Sequence, residues 1–277
     1  MVSPPPIITL TTDFGFSDAY VGALKGVILG LNPAATIVDI THEVRPQQVV
    51  QGAFILGSAS PYFPEGTIHL AVVDPGVGTE RRGLVLATPR GVFVGPDNGL
   101  LSPALPDDAR ETASEPGQAS PVSLPEGYRA VAITRREYMR ESVSSTFHGR
   151  DIFAPVAAHL SLGVAPEEFG ERVASVLAFP PFRARRRPDG SLQGRVLHVD
   201  RFGNLVTDVR EADLASADVQ VEIGGRVLRG LRRTYAGGEG LTALIGSSGH
   251  LEIALPDGSA AASLGSQVGD PVVVMLA

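Results

Sequence analysis

Carboxylates stand at the ends of three β-prone runs: Asp13 after Ile7–Leu10, Asp39 in Thr36–Thr41, and Asp74 after Ile68–Val73. Asp74 is the most telling. The apolar run before it predicts a buried strand, and Asp74-Pro75-Gly76-Val77-Gly78 forces a turn. In an open α/β sheet, chemistry sits beyond the carboxyl ends of the strands. Asp74 is therefore a carboxylate presented at a strand tip. Gly76 and Gly78 allow a ligand or another backbone to approach, and Arg81 and Arg82 follow within reach. The same string also serves as an ordinary Asp-Pro-Gly turn.

An imidazole is available at His148, between Phe147 and Gly149 at a predicted helix start. A helix N-terminus disfavours imidazolium, so His148 is expected to be neutral and able to accept a proton. A capping or core role for it stays open on the residues alone. Two more polar clusters sit at turns in the last third, Asp200-Arg-Phe-Gly-Asn204 and Ser247-Ser-Gly-His-Leu-Glu252. His42, followed by Glu43, reads as a turn residue; Asp39 reads as structural, Asp208 as a solvated strand end, and Asp97-Asn98-Gly99 as a turn.

The elements that would position these groups alternate. Ile7–Leu10 is β-prone, Ala19–Leu31 has helical spacing with Ser17 or Asp18 as its cap, and Thr36–Thr41 is a second strand. Gln47–Ser58 reads as a helix, Thr67–Val73 as a strand, and Gly83–Thr88 with Val92–Val94 as a hairpin. Residues 103–127 read as a surface excursion, Tyr128–Thr134 as a strand. Ser144–Asp151 opens a helix to Leu162, capped by Ser145 or Thr146, with Asp151 in its first turn. The fold class is α/β: an N-terminal layered domain over residues 1–180 with a largely parallel sheet.

Pro180-Pro181, the cluster Arg183–Arg187 and Pro188-Asp-Gly190 mark a boundary. Beyond it, seven short β runs follow at close spacing: 195–199, 205–209, 219–223, 226–231, 241–245, 250–255 and 271–276. They predict a smaller antiparallel β-barrel over residues 188–277.

Composition excludes several classes. A chain of 277 residues that is 43% apolar builds a full core. A net charge of −7 argues against a general nucleic-acid binder, and the Arg183–Arg187 cluster reads as solvated linker. No apolar run is long enough for a membrane span. The start Met-Val-Ser-Pro-Pro-Pro has neither a basic nor an apolar leader region, so a cytoplasmic protein is expected. The absence of Cys removes disulfides and thiol nucleophiles, and the six His form no HxxxH or HxH pair, so no metal site is expected. Asp13-Phe14-Gly15 lacks the other kinase motifs, Gly76-x-Gly78 meets Arg81 where a dinucleotide fingerprint needs Gly, and no Gly-x-Ser-x-Gly elbow occurs.

Six strings, taken together and in order, resemble one family. They are Thr11–Gly15, Val73–Arg81, Gly95–Leu101, Thr146–Asp151, Asp200–Leu205, and Ser247 with Gly249–Ala254. The chain resembles the S-adenosyl-L-methionine (SAM) hydroxide adenosyltransferases, relatives of the bacterial fluorinase and chlorinase, from about residue 7 to 275. The resemblance implies hydrolysis of SAM to adenosine and methionine, with no cofactor. It also implies a homotrimer with substrate between one subunit's N-terminal domain and a neighbour's barrel. Asp74, Arg81 and His148 would surround the attacking water. Asp13 would hold the ribose hydroxyls, and Phe147 would touch substrate. Asn204 and the Ser247 region would meet adenine or the amino-acid end, Asp200 the methionine ammonium, and Glu252 joins them.

The halogenating relatives carry Tyr at the position of Asp74 and Ser at that of Gly149; a carboxylate there repels halide. In the barrel, Ser248 stands where they have Arg, and Val206 where they have an aromatic. Two other readings remain: a module that binds adenosine or SAM without turnover, and a SAM-dependent 5′-halogenase.

Overall fold

A central strand buried on both faces organises the first part of the chain. Every residue of Thr67–Val72 is buried, as a strand covered by helices on either side must be. A computed structural model describes residues 5–113, 117–214, 216–235 and 240–276. The start Met1–Pro4 and part of the 103–127 stretch lie outside them. The described residues form two compact units, one ending at Pro181 and the other beginning at Phe182.

The first unit runs β1 (Ile7–Thr12), α1 (Tyr20–Leu31), β2 (Thr36–Thr41), α2 (Val49–Ala59), β3 (Thr67–Val72), β4 (Gly83–Ala87), β5 (Gly91–Pro96) and α3 (Asp107–Arg110). It continues with β6 (Ser120–Ser123), β7 (Arg129–Ile133), α4 (Ala154–Ser161), β8 (Gly170–Val173) and β9 (Ser175–Ala178). The main sheet has the order β2-β1-β3-β5-β4-β7-β8. Strands β2, β1, β3 and β5 pair in parallel, whereas β4, β7 and β8 extend the sheet antiparallel. The sheet is therefore mixed, with its parallel half carrying the strand tips of interest. Ile8, Leu10, Ile68 and Leu70 pack with Leu24 and Ile28 of α1 and Val156 and Ala157 of α4. Leu56 of α2 packs with Leu84, Phe93 and Leu100 in a second cluster.

Helix α1 starts after Ala19 rather than after a Ser17 or Asp18 cap. The expected helix from Ser144 begins later, as a five-residue π-turn over Gly149–Phe153 that runs into α4, and its capping position is His148 rather than Ser145 or Thr146. Leu105, Arg110 and Val122 are buried, so the 103–127 stretch is not wholly surface.

The second unit contains β10 (Arg185–Arg186), β11 (Leu192–Val199), β12 (Leu205–Arg210), β13 (Val219–Ile223), β14 (Arg226–Arg229), β15 (Thr242–Ile245), β16 (His250–Ala254), α5 (Ala260–Leu264) and β17 (Pro271–Leu276). Its sheet order is β14-β13-β17-β11-β12-β16-β15. A bridge between Arg232, just past β14, and Leu244 of β15 nearly closes it into a barrel. Leu205, Val209, Val221, Leu251, Ile253 and Val274 fill the interior. Asp208 is not a solvated strand end: it is buried, accepts from Arg195 N at 2.7 Å, and burial pushes its carboxyl up to about 6.

Candidate active site

Four parallel strands end along one edge of the sheet, and each carries a polar group past its tip. These are Asp13 after β1, His42 after β2, Asp74 after β3, and Asp97 closing β5. This is the edge where an α/β sheet places its ligands.

Asp74 and Arg81 close the turn that follows β3. Both oxygens of Asp74 accept from Arg81 Nε at 3.0 Å, and Nη2 adds a second short bond to Oδ2. The side chains are only 5% and 12% exposed, so the pair is held in a dry fork. The ring of Phe153 lies 5.2 Å from the guanidinium carbon and backs it by a cation–π contact. Arg82 takes another route: Nε and Nη2 reach Asp97 Oδ2 at 2.9 and 2.5 Å. Asp97 also accepts from Leu177 N, and Asn98 Nδ2 donates to Val73 O, so the Asp97–Gly99 turn braces the sheet.

His148 reaches the same point from far along the chain. Gly78 makes that possible, with φ +78° and a backbone so close to Ser145 that an added Cβ would lie 2.2 Å from its carbonyl oxygen. Past Ser145, His148 Nδ1 accepts from Arg81 Nη2 at 2.7 Å. A guanidinium only donates, so this nitrogen is unprotonated and the ring hydrogen sits on Nε2. Burial lowers the His148 pKa and Arg81 lowers it further, against the pull of Asp74 and Asp151. The structure thus brings Asp74, Arg81 and His148 into one chain of contacts.

The segment is anchored by Asp151, a fully buried carboxylate that accepts from Ser144 N at 2.9 Å and from Arg150 at 2.7 and 2.8 Å. Burial raises its pKa, but Arg150, the Ser144 amide and Arg140 outweigh that and hold it down. Asp151 is therefore a structural anchor, not only a partner for a helix dipole.

Asp13 lies beside this centre. Its Oδ2 accepts from Gln47 N at 2.8 Å, and burial and the charge of Asp74 push its pKa up, partly offset by backbone hydrogen bonds. Phe14 meets Phe147 edge-on at 5.6 Å, and Tyr20 meets Phe147 at 5.1 Å. A Cβ on Gly149 would lie 3.1 Å from the Phe14 ring, so the wall is tight there.

The barrel unit has a cluster of its own. Asp200, Asn204, Ser247 and Glu252 line one pocket of about 750 Å³, together with Phe202, Tyr235 and Asp257. Asp200 Oδ1 accepts from the amides of Phe202 and Asn204, and Oδ2 accepts from Asn204 Nδ2 at 2.9 Å. Tyr235 donates to Glu252 Oε2 at 2.7 Å. Burial raises the Glu252 pKa, Asp200 adds to that, and the Tyr235 bond opposes it. Burial together with Glu252 pushes the Tyr235 phenol up to about 12, so it stays a donor. Sequence reasoning missed Tyr235 and Phe202. The only trace of Tyr235 is an aromatic inside the Gly-rich turn before β15, and Phe202 sits unremarked inside the Asp200–Asn204 string. Among the described residues, no group of three His, Asp or Glu could hold a metal ion. No helix there is long and apolar enough to cross a membrane.

Comparison with known proteins adds an independent line. The family model of the SAM hydroxide adenosyltransferase N-terminal domain matches residues 8–170, and that of the C-terminal domain residues 194–273. A relative from Thermus thermophilus named (R)-S-adenosyl-L-methionine hydrolase is 41% identical over 266 residues, covering 94% of this chain and 96% of its own. A fluorinase of Nocardia brasiliensis is more distant, at 29% over 240 residues, 77% of this chain and 74% of its own. The crystal structure of an uncharacterized conserved protein from Thermotoga maritima superposes with a TM-score of 0.80 at 35% identity, covering 97% of this chain and 99% of that one.

Proposed function

The chain belongs to the SAM hydroxide adenosyltransferase family, and from that premise we propose that it hydrolyses S-adenosylmethionine at C5′ to adenosine and methionine. The observation that carries the reading is the Asp74–Arg81–His148 arrangement at the sheet edge. A sulfonium already bears a positive charge and leaves as a neutral thioether, so no acid is needed at the leaving atom. The reaction needs a nucleophile in line with C5′ and a site that holds both partners. Positioning alone supplies about 7–11 kcal/mol of barrier reduction.

Roles within the site follow from who can still accept a proton. His148 Nδ1 is occupied by Arg81, which leaves Nε2–H as its free group, a donor. Oδ1 of Asp74 takes one bond from Arg81 and keeps a lone pair to spare, whereas Oδ2 takes two. Asp74 therefore takes the proton from water, Arg81 holds its carboxylate in place, and His148 orients the water. Asp13 holds the ribose hydroxyls and Phe147 packs on the substrate. The acidic barrel pocket, with Asp200, Asn204, Ser247 and Glu252, receives the ammonium end and the base. The resemblance extends this to a trimer, in which one subunit's Asp74 cluster and a neighbour's barrel pocket serve one SAM molecule.

The tight fit of Gly149 against Phe14 and the carboxylate at Asp74 both disfavour halide as nucleophile. The test is hydrolysis in ¹⁸O-labelled water with mass spectrometry of the nucleoside. Adenosine should carry the label on its 5′ oxygen. Adenosine without label, or tight nucleoside binding with no cleavage over hours, would overturn the reading.

A further inference from the structure

The turn that carries Asp13 is gripped from behind by a residue the proposed chemistry does not use. His42, at the end of β2, is fully buried. Its Nδ1 lies 2.7 Å from Thr12 Oγ1, and the same hydroxyl accepts from Phe14 N at 3.2 Å. Its Nε2 lies 3.1 Å from Asp39 Oδ1, at ion-pair distance although too poorly aligned for a good hydrogen bond. Asp39 Oδ2 accepts from Lys25 Nζ at 2.6 Å, and Lys25 is the only lysine of the chain. A line of polar contacts thus runs from a half-exposed ion pair on α1 and β2 to the site turn.

The protons along it can be placed. Lys25 only donates, and an ionised Asp39 only accepts. Burial raises the Asp39 pKa, but Lys25 and His42 outweigh it and hold the carboxyl below its usual range. Burial lowers His42, helped by Lys25 and opposed by Asp39 and Glu43. These three, from β2, α1 and the neighbouring position, are the charged groups that face it. A neutral His42 with its hydrogen on Nε2 keeps that hydrogen on the side of the Asp39 carboxylate, off the line of a good hydrogen bond, and accepts from Thr12 at Nδ1. The other tautomer would set a lone pair against a carboxylate.

The backbone repeats the grip. Gly15 N donates to His42 O at 2.7 Å, Val44 N to Thr12 O at 3.3 Å, and Gln47 N to Asp13 Oδ2 at 2.8 Å. Whatever holds Thr12–Gly15 also holds Phe14 against Gly149, one residue from His148. We propose that His42 is a positioning residue of the reaction: through Thr12 it sets the turn that aims Asp13 at the substrate, and Asp39 with Lys25 fixes its tautomer. The inference rests on the reading that Asp13 holds the ribose. Protonated His42 would turn an N–H toward Thr12 and leave the buried hydroxyl hydrogen without an acceptor, so acid loosens the turn.

The test compares His42→Leu, His42→Asn and Lys25→Ala with the parent enzyme, reading kcat and KM for SAM and the Kd of adenosine by calorimetry. Loss of one buried hydrogen-bonded link should raise KM and Kd about tenfold in His42→Leu, with kcat within about threefold. His42→Asn places an acceptor near the Nδ1 position and should recover most of the loss, while Lys25→Ala should fall between. Should His42→Leu fail to fold, Lys25→Ala decides, with KM raised about three- to fivefold. KM and Kd within twofold of the parent in His42→Leu, or in Lys25→Ala where His42→Leu does not fold, or a fall in kcat with KM unchanged, would overturn the proposal. A parent that binds adenosine but does not hydrolyse SAM, with binding weakened in His42→Leu, sinks the hydrolase reading and leaves this inference standing. An active parent with unaffected variants does the reverse, and a parent that neither binds nor cleaves sinks both.

Discussion

Arg81 donates to His148 Nδ1 at 2.7 Å while the same guanidinium clasps both oxygens of Asp74. Protonating His148 on Nδ1 would set N–H against N–H and break the contact. The cost of that break adds to burial and to the charge of Arg81, which already hold the pKa of His148 below the ordinary value of 6.5. The acid limb of the kcat/KM profile is therefore expected to lie below 6.5. A pH–rate series on the parent enzyme checks this, and an acid limb centred at or above 6.5 would contradict it.

Asp74→Asn separates charge from shape. The amide keeps the size of the side chain but loses the carboxylate, and with it both the proton acceptor and the partner of Arg81. A general base contributes roughly 10²–10⁴-fold, so kcat should fall by about that factor while KM changes little. Adenosine production in steady state measures both. A kcat within tenfold of the parent would move the base to another group.

Gly78 carries the return of His148. At φ +78°, any side chain is strained, and a Cβ would stand 2.2 Å from Ser145 O, a backbone atom that cannot swing aside. Gly78→Ala should cost about 2 kcal/mol or more in stability and lower kcat by displacing the 145–148 segment. Gly66 is the control: its φ is +82° but nothing lies within 4 Å of an added Cβ. Gly66→Ala should cost only about 1 kcal/mol and leave kcat alone. Urea unfolding with activity on the same samples distinguishes the two.

Much of this geometry can be read ahead of the structure because the signals are local. Pro75 and Gly76 end a strand wherever they stand, and the barrel strands announce themselves by short β runs between Gly-rich turns. What escapes is decided by distant partners. Asp208 looks solvent-facing in Leu-Val-Thr-Asp-Val-Arg, yet the Arg195 amide and the bare Cα of Gly194 on the neighbouring strand make a buried place for it. Strands β8 and β9, four residues each, exist because β7 and β6 present edges to pair with. The π-turn at Gly149–Phe153 has no periodic signature, since it depends on Asp151 being clamped by Arg150 and Ser144.

Tyr235→Phe probes the barrel pocket without touching Asp74. Removing the hydroxyl deletes the bond to Glu252 that opposes its raised pKa, so Glu252 should titrate still higher. If the pocket receives the ammonium end of SAM, a weaker negative charge there raises KM by about three- to tenfold with kcat near the parent value. Steady-state kinetics over a pH series supply the check, the defect shrinking as pH rises and Glu252 ionises. A KM defect that does not change with pH would detach Glu252 from substrate binding.

Stability in acid should turn on His69. Its ring is buried, stacks on Phe93 at 4.6 Å, and bonds Thr9 Oγ1 through Nδ1 at 2.8 Å. Burial lowers its pKa from 6.5 to about 4. Between those values the unfolded chain binds the proton and the folded chain does not, so stability is whole above 6.5 and drains as pH falls through about 4. At about 1.36 kcal/mol per pH unit, the loss approaches roughly 3 kcal/mol. Asp208 works in the opposite sense. Its folded pKa, raised from 3.8 to about 6, means that its contribution is present below 3.8 and is lost as pH rises through 6, which partly offsets His69 in acid. His69→Gln, which cannot protonate but can still partner Thr9, should flatten the acid limb of a Tm-versus-pH series between 6.5 and 4. Asp208→Asn should steepen it. An acid limb unchanged in His69→Gln would assign the loss to other groups, among them His42, His148, His159 and His250, each held below its ordinary value chiefly by burial.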